Sequence, residues 1–130
     1  MGRIMGIDLG KRWVGVSISD PTGTIARGLC LIDTKKVDLL SELRRIIEKY
    51  GVEEIVIGLP MDTRGGLSDY GKEVKSIGGI VQKELSVKVS FWNEVYTTKE
   101  AERLVGKRKK EKVDIIASEI ILQSYLDSKK

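Results

Sequence analysis

Near the amino terminus the apolar run Ile4-Met5-Gly6-Ile7 meets a carboxylate at Asp8, turns at Gly10-Lys11, and resumes from Trp13 to Ser19 with Val14, Val16 and Ile18 at every second position. Alternation at period two marks a strand with one face in a core, and a glycine-bearing turn between two such runs predicts a β-hairpin. The pattern leaves Asp8 at the end of the first strand, where a turn or capping role competes with a chemical one. A third strand is expected after Pro21-Thr22-Gly23, using Ile25 and Leu29 to Ile32.

Beyond residue 36 the apolar spacing lengthens. Val37, Leu40, Leu43, Ile47 and Tyr50 recur at three- and four-residue steps, which predicts an amphipathic helix with Asp33 or Thr34 as N-cap and Gly51 as stop. Glu54 to Gly58 reads as a short strand closed by Leu59-Pro60. A glycine-bearing loop from Met61 to Leu67 leads into a second helix from Ser68 to Leu85, with Val74, Ile77, Val81 and Leu85 on one face. Each of Gly78 and Gly79 costs that helix about 1 kcal/mol relative to alanine, a cost that close packing on a sheet would explain. Val87, Val89 and Phe91 alternate in a fifth strand ending at Trp92-Asn93-Glu94. Thr97-Thr98-Lys99-Glu100 forms a capping box for a third helix. A basic loop, Lys107-Arg108-Lys109-Lys110-Glu111-Lys112, precedes a last helix from Val113 to Asp127.

Three strands followed by alternating helices and strands imply an α/β fold, with a mixed five-stranded sheet flanked by helices. A length of 130 residues suits one domain, 1–130. No apolar run approaches the roughly 20 residues of a membrane span, and Asp8, Lys11 and Arg12 interrupt any signal-peptide pattern, so a cytoplasmic protein with no membrane partner is expected.

The absence of histidine and the single cysteine, Cys30, exclude the common zinc patterns, Ser-His and Cys-His dyads and an intrachain disulfide. Any metal must be held by oxygen, which points to Mg²⁺ or Mn²⁺. In an open sheet, ligands gather outside the carboxyl ends of the parallel strands. Asp8, the Gly58-Leu59-Pro60 turn and Glu94 should meet there, and Asp114 opens the strongly apolar last helix, where a charge favourable to the helix's positive end is the competing reading. Clustered carboxylates repel one another unless divalent ions neutralise them. Asp8, Glu94 and Asp114 are therefore the expected catalytic and metal-ligating residues, and two-metal phosphodiester hydrolysis is the chemistry such a cluster suits.

Three segments together carry a resemblance: Met5-Gly6-Ile7-Asp8-Leu9-Gly10-Lys11-Arg12-Trp13-Val14-Gly15-Val16 through Asp20; Ile55-Val56-Ile57-Gly58-Leu59-Pro60 with the loop to Gly66; and Val113-Asp114-Ile115-Ile116-Ala117-Ser118-Glu119-Ile120-Ile121-Leu122-Gln123-Ser124-Tyr125-Leu126-Asp127. Over essentially its whole length the chain resembles the YqgF/RuvX family of Holliday-junction-resolvase-like proteins, described as pre-16S rRNA nucleases with a ribonuclease-H-like fold. The resemblance implies that Asp8 and Asp114 are metal ligands. Where the family has Asp-Glu-Arg at the end of the fifth strand, this chain has Asn93-Glu94-Val95. That removes one negative charge and a guanidinium able to grip phosphate bidentately.

The net charge of +4 fits a polyanionic partner. Lys11, Arg12, Arg64, Lys107, Arg108, Lys109, Lys110 and Lys112 are the expected nucleic-acid contacts, with Gly65-Gly66 allowing close approach of a phosphate. Glu111 is a candidate extra ligand. Trp13 and Trp92 either stack on bases or fill the core. The leading expectation is a nuclease trimming precursor rRNA. A Holliday-junction resolvase, which would need a symmetric dimer, and a feebly active RNA-binding module of ribosome assembly, motivated by Asn93 and Val95, are the alternatives; the oligomeric state, monomer or weak homodimer, stays open. Actin-like ATP binding, prompted by Ile7-Asp8-Leu9-Gly10, requires a second large domain that one domain of this length cannot supply.

Overall fold

β1 (Arg3–Leu9) lies at the centre of a sheet of order β3-β2-β1-β4-β5, in which β2 (Trp13–Ser19) and β3 (Ala26–Asp33) run antiparallel and β4 (Val52–Pro60) and β5 (Lys88–Glu94) run parallel to it. The computed structural model describes residues 2–61, 65–94 and 110–129, with the backbone alone for residue 94 and residues 110–112. Helices α1 (Leu39–Tyr50), α2 (Asp69–Leu85) and α3 (Lys110–Ser128) complete the fold. The mixed five-stranded sheet with flanking helices is the expected ribonuclease-H-like α/β arrangement. No described helix is long and apolar enough to cross a membrane.

Strand parity divides the molecule into two layers. Met5, Ile7 and Leu9 of β1, Val14, Val16 and Ile18 of β2, and Ile55, Ile57 and Leu59 of β4 point to one face, where Leu43 and Ile46 of α1 and Val74 and Val81 of α2 cover them. Ile4 and Val56 point to the other face and meet Ile121, Leu122, Tyr125 and Leu126 of α3. Because the central strands are covered on both sides, their sequences read as nearly continuous apolar runs. Each fully buried aliphatic side chain contributes roughly 1.5–3 kcal/mol. The hold of α3 therefore rests on a short list of residues.

Several element boundaries differ from expectation. Helix α1 is capped by Asp38, whose side chain accepts the Ser41 N–H, and not by Asp33 or Thr34. Asp33 is engaged elsewhere, by the Arg12 guanidinium, and Val37 lies outside the helix, exposed. Gly51 ends α1 in the left-handed region at φ 66°, as its position predicted. Ile25 precedes β3 and is exposed. Gly78 is explained by close packing, since a Cβ there would lie 2.4 Å from the Phe91 ring, whereas Gly79 faces open space. The last helix begins three residues earlier than predicted, so Lys110 to Lys112 belong to its first turn and not to a loop. The capping box at residues 97–100, the helix it would start, and residues 107–109 lie outside the described residues.

Candidate active site at the carboxyl edge of the sheet

Asp8 follows Ile7 on β1 with the parity of Ile4 and Gly6, the face on which α3 lies. It is half-buried and pairs across the hairpin with Gly15 of β2. A Cβ built on Gly15 would stand 2.0 Å from the carbonyl oxygen of Asp114 and 2.5 Å from its carbonyl carbon. Asp8 and Asp114, 106 positions apart in the chain, thus adjoin the same glycine. Asp114 is the fifth residue of α3 and not its opening residue, which weakens a purely helix-end explanation for its charge.

Two more glycines prepare this approach. A Cβ on Gly6 would meet the Leu122 Cβ at 2.7 Å, and one on Gly28 would meet the Ile115 side chain at 2.6 Å. Gly6, Gly15 and Gly28 lie on three adjacent strands and open a trough in which α3 beds with its backbone close to the sheet. Polar contacts set its register. The Ser17 hydroxyl donates to the Ser118 carbonyl at 2.8 Å. Glu119 Oε2 accepts the Gly28 N–H at 2.9 Å, and Gln123 Oε1, one helical turn on, accepts the Ala26 N–H at 2.9 Å. Both donors belong to the outer edge of β3, which α3 thereby caps. At the far end Tyr125 donates to the buried Glu54 carboxylate at 2.5 Å, which also accepts from Ser90 at 2.7 Å.

No local pattern assigns these residues a role. The signal available was the isolated glycine inside each strand, which marks a close backbone approach. Nothing local in the sequence announces the roles of Glu119 and Gln123.

Glu94 is the last residue of β5, paired with Pro60, at a position sharing parity with Ser90 and Trp92. Its backbone thus reaches the edge where β1 and β4 end. Asn93 beside it is exposed. Among the described residues no three carboxylate or thiol side chains come together as a metal site; the side chains of Glu94 and Glu111 lie outside that description. Cys30 packs against the opposite core, where burial raises its thiol pKa. The described acids at this edge therefore offer oxygen, a donor set suited to a hard divalent cation.

The other predicted residues separate. Lys11 and Arg12 lie exposed in the β1–β2 turn. The Arg12 guanidinium forms two bonds to Asp33, at 3.0 and 3.1 Å, and stacks 4.6 Å above the Trp13 ring centroid. The hydrogen bond from Arg12 is the main reason the Asp33 carboxyl is held below its ordinary pKa. Trp92 packs edge-on against Tyr125, with ring centroids 5.8 Å apart, as part of the α3 layer. Arg64, Lys107, Arg108 and Lys109 lie outside the described residues, as do the side chains of Lys110 and Lys112. At Gly65 the backbone is left-handed at φ 81° with open space around it, and Met61 and Leu67 bridge the base of that loop.

Comparison with known proteins agrees with this architecture. Residues 2–128 match the model of the family described as RuvX, Holliday junction resolvase. A protein of Caldanaerobacter subterraneus subsp. tengcongensis named "Putative pre-16S rRNA nuclease" is 41% identical, with 98% of each chain covered. One of the same name from Geobacillus kaustophilus is 40% identical, covering 98% of this chain and 99% of its own. The RuvC structure of Thermus thermophilus in complex with a Holliday junction substrate superimposes with a TM-score of 0.59 at 14% identity, covering 99% of this chain and 96% of that one. The yeast mitochondrial Holliday junction resolvase Ydc2 gives 0.53 at 12%, covering 96% and 78%. Identities this low show a shared fold alone. The match along nearly the full length, with the two relatives at 40% identity or above, places this chain in the RuvX family.

Proposed function

We propose that this protein is a metal-dependent nuclease that hydrolyses phosphodiester bonds in structured RNA, with the 5′ end of precursor 16S rRNA as its substrate. The observation that carries the reading is the convergence of Asp8 and Asp114 on Gly15, at the edge where β1, β4 and β5 end. The names of the relatives supply the substrate class.

In this reading Asp8, Glu94 and Asp114 hold Mg²⁺ or Mn²⁺, which when bound acidifies the attacking water and stabilises charge on the leaving oxygen. The protein's own contribution is placement. The Asp8 backbone is fixed by its pairing with Gly15 and by its neighbour Ile7, which pairs with Val16 of β2 and Ile57 of β4, and Asp114 by the bedding of α3 in the glycine trough. Such preorganisation matters because catalytic groups must be held within roughly 0.5 Å of their productive positions. Basic residues around the edge bind the phosphate backbone and carry no sequence information.

Asp8→Asn and Asp114→Asn test the assignment. Each is expected to lower Mn²⁺-dependent cleavage of a 5′-extended 16S precursor by about 100-fold or more, because even residues that only support a metal ligand cost roughly 10–100-fold when lost. Circular dichroism should show the fold retained. Full activity in either purified variant refutes the roles. A four-way DNA junction assayed beside the RNA separates precursor processing from the resolvase activity in the family's description.

A further inference from the structure

Two connections meet beside Asp8 at the carboxyl edge of the sheet. The β1–β2 turn brings Lys11 and Arg12, and the segment after β3 brings Thr34, Lys35 and Lys36. Hydrogen bonds tie the two connections together. The Thr34 N–H and hydroxyl both donate to the Arg12 carbonyl, at 2.9 and 2.7 Å. Arg12 grips Asp33 with two nitrogens, and Asp33 also accepts the Lys35 N–H at 3.1 Å while its carbonyl accepts the Lys36 N–H at 3.0 Å. Trp13 supports the guanidinium from its ring face.

The consequence is a sorting of charges. Arg12 and Asp33 neutralise each other, so Arg12 acts as a fastener, and the cations left over are Lys11, Lys35 and Lys36, all exposed. We infer that Lys11, Lys35 and Lys36 form a preassembled platform for the phosphodiester backbone of the nucleic acid, beside the site of cleavage. The inference rests on the nuclease reading for its substrate class and adds Lys35 and Lys36, which the sequence did not single out.

Geometry states which phosphates are meant. Asp8 pairs with Gly15, and Gly15 with Leu31 of β3, two strands or on the order of 10 Å away, and Lys35 and Lys36 follow the end of β3 at Asp33, farther from Asp8 again. Phosphates along one strand of a DNA duplex advance by about 3.4 Å each along the helix axis. The platform therefore engages phosphates a few nucleotides to one side of the reacting bond. A lysine suits this task, being a point charge that tolerates variation in backbone geometry.

The test is the salt dependence of binding, with a fluorescently labelled RNA hairpin carrying a 5′ single-stranded extension and DNA of the same sequence as a second probe. The Lys35→Ala/Lys36→Ala variant should bind either probe more weakly, and the slope of log K against log salt should become shallower by about 1.5–2, the loss of two phosphate contacts. Lys75→Ala/Lys83→Ala removes two exposed charges from α2 on the other layer and should keep the wild-type slope. Arg12→Lys keeps its charge but loses the two-pronged grip on Asp33, and should bind more weakly than wild type. An unchanged slope in Lys35→Ala/Lys36→Ala, or an equal fall in the α2 control, overturns the platform. The predicted slope difference between wild type and Lys35→Ala/Lys36→Ala, found together with no Mn²⁺-dependent cleavage of the 5′-extended 16S precursor by wild type, leaves the platform standing and removes the nuclease reading. Cleavage by wild type together with wild-type binding by Lys35→Ala/Lys36→Ala does the reverse.

Discussion

The carbonyl group of Asp114 occupies the volume that a side chain at Gly15 would fill, so the helix carrying one proposed ligand touches the strand paired with the other. The clash is with backbone atoms, which cannot swing aside as the end of a flexible side chain could. Any residue larger than glycine at position 15 must lift the start of α3.

Gly15→Ala should therefore lower activity through displacement of Asp114. Overpacking of this kind typically costs about 1–3 kcal/mol of stability. Thermal unfolding would report that loss, and Mn²⁺ titration of cleavage should show a rightward shift well below the unfolding temperature. A variant with wild-type metal dependence would mean that α3 can move without moving the site.

Glu119 offers a cleaner measure of helix register. Glu119→Ala strands the partly buried Gly28 N–H, an omission worth roughly 1–3 kcal/mol. Glu119→Gln retains an oxygen acceptor and should recover most of the stability and cleavage. Equal behaviour of the two variants in urea unfolding would show that the bond contributes nothing.

Acid should loosen α3 from the sheet through Glu54. Burial opposes its ionisation most strongly, yet the bonds from Tyr125 and Ser90, with Lys129 and Lys88 nearby, outweigh burial and hold the carboxyl below its ordinary value. Asp20 is lowered as well, chiefly by the Ile25 N–H, then by the Thr22 hydroxyl and the Thr24 N–H. A carboxyl depressed in the folded state adds stability that is present above its unfolded pKa and vanishes as pH falls through the folded one. Melting temperature should accordingly decline as pH drops below about 4.5, the ordinary glutamate value. Tyr125→Phe should flatten that decline. It also removes a hydrogen bond to a charged group, worth about 1.5–3 kcal/mol at neutral pH. A Tyr125→Phe curve parallel to wild type would exclude Glu54 as the sensor.

Replacing the missing charge at the end of β5 is informative too. Asn93→Asp adds beside Glu94 the acid that the sequence resemblance implies there, on an exposed position. If the proposed site binds a divalent ion, the added charge should lower the Mn²⁺ concentration needed for half-maximal cleavage, by a few-fold at an exposed site where water screens it. Isothermal titration with Mn²⁺ alone checks the same effect without turnover, and an unchanged affinity would detach residue 93 from the metal.

Local patterns carried much of the fold. The alternation through Val14, Val16 and Ile18, the helical spacing of α1 and α2, and Gly51 as a stop all depend on residues within a few positions of one another, so period and composition suffice to read them. Asp8 stood out for the same reason, as a charge at the end of an apolar strand. The cap at Asp38 is equally local, but Asp33 and Thr34 offer the same side-chain chemistry a few residues earlier, and only the tertiary pairing of Arg12 with Asp33 distinguishes them.

What only the tertiary structure decided is how far-separated segments fit. Ser17 bonds Ser118 across 101 positions and Gly28 bonds Glu119 across 91, and neither pairing leaves a periodic trace in the sequence. Three unremarkable strand glycines become a trough only when β1, β2 and β3 lie side by side beneath α3. The residue types were chosen locally, but backbone contact between distant elements is a matter of excluded volume in three dimensions, and that determines where Asp114 stands relative to Asp8.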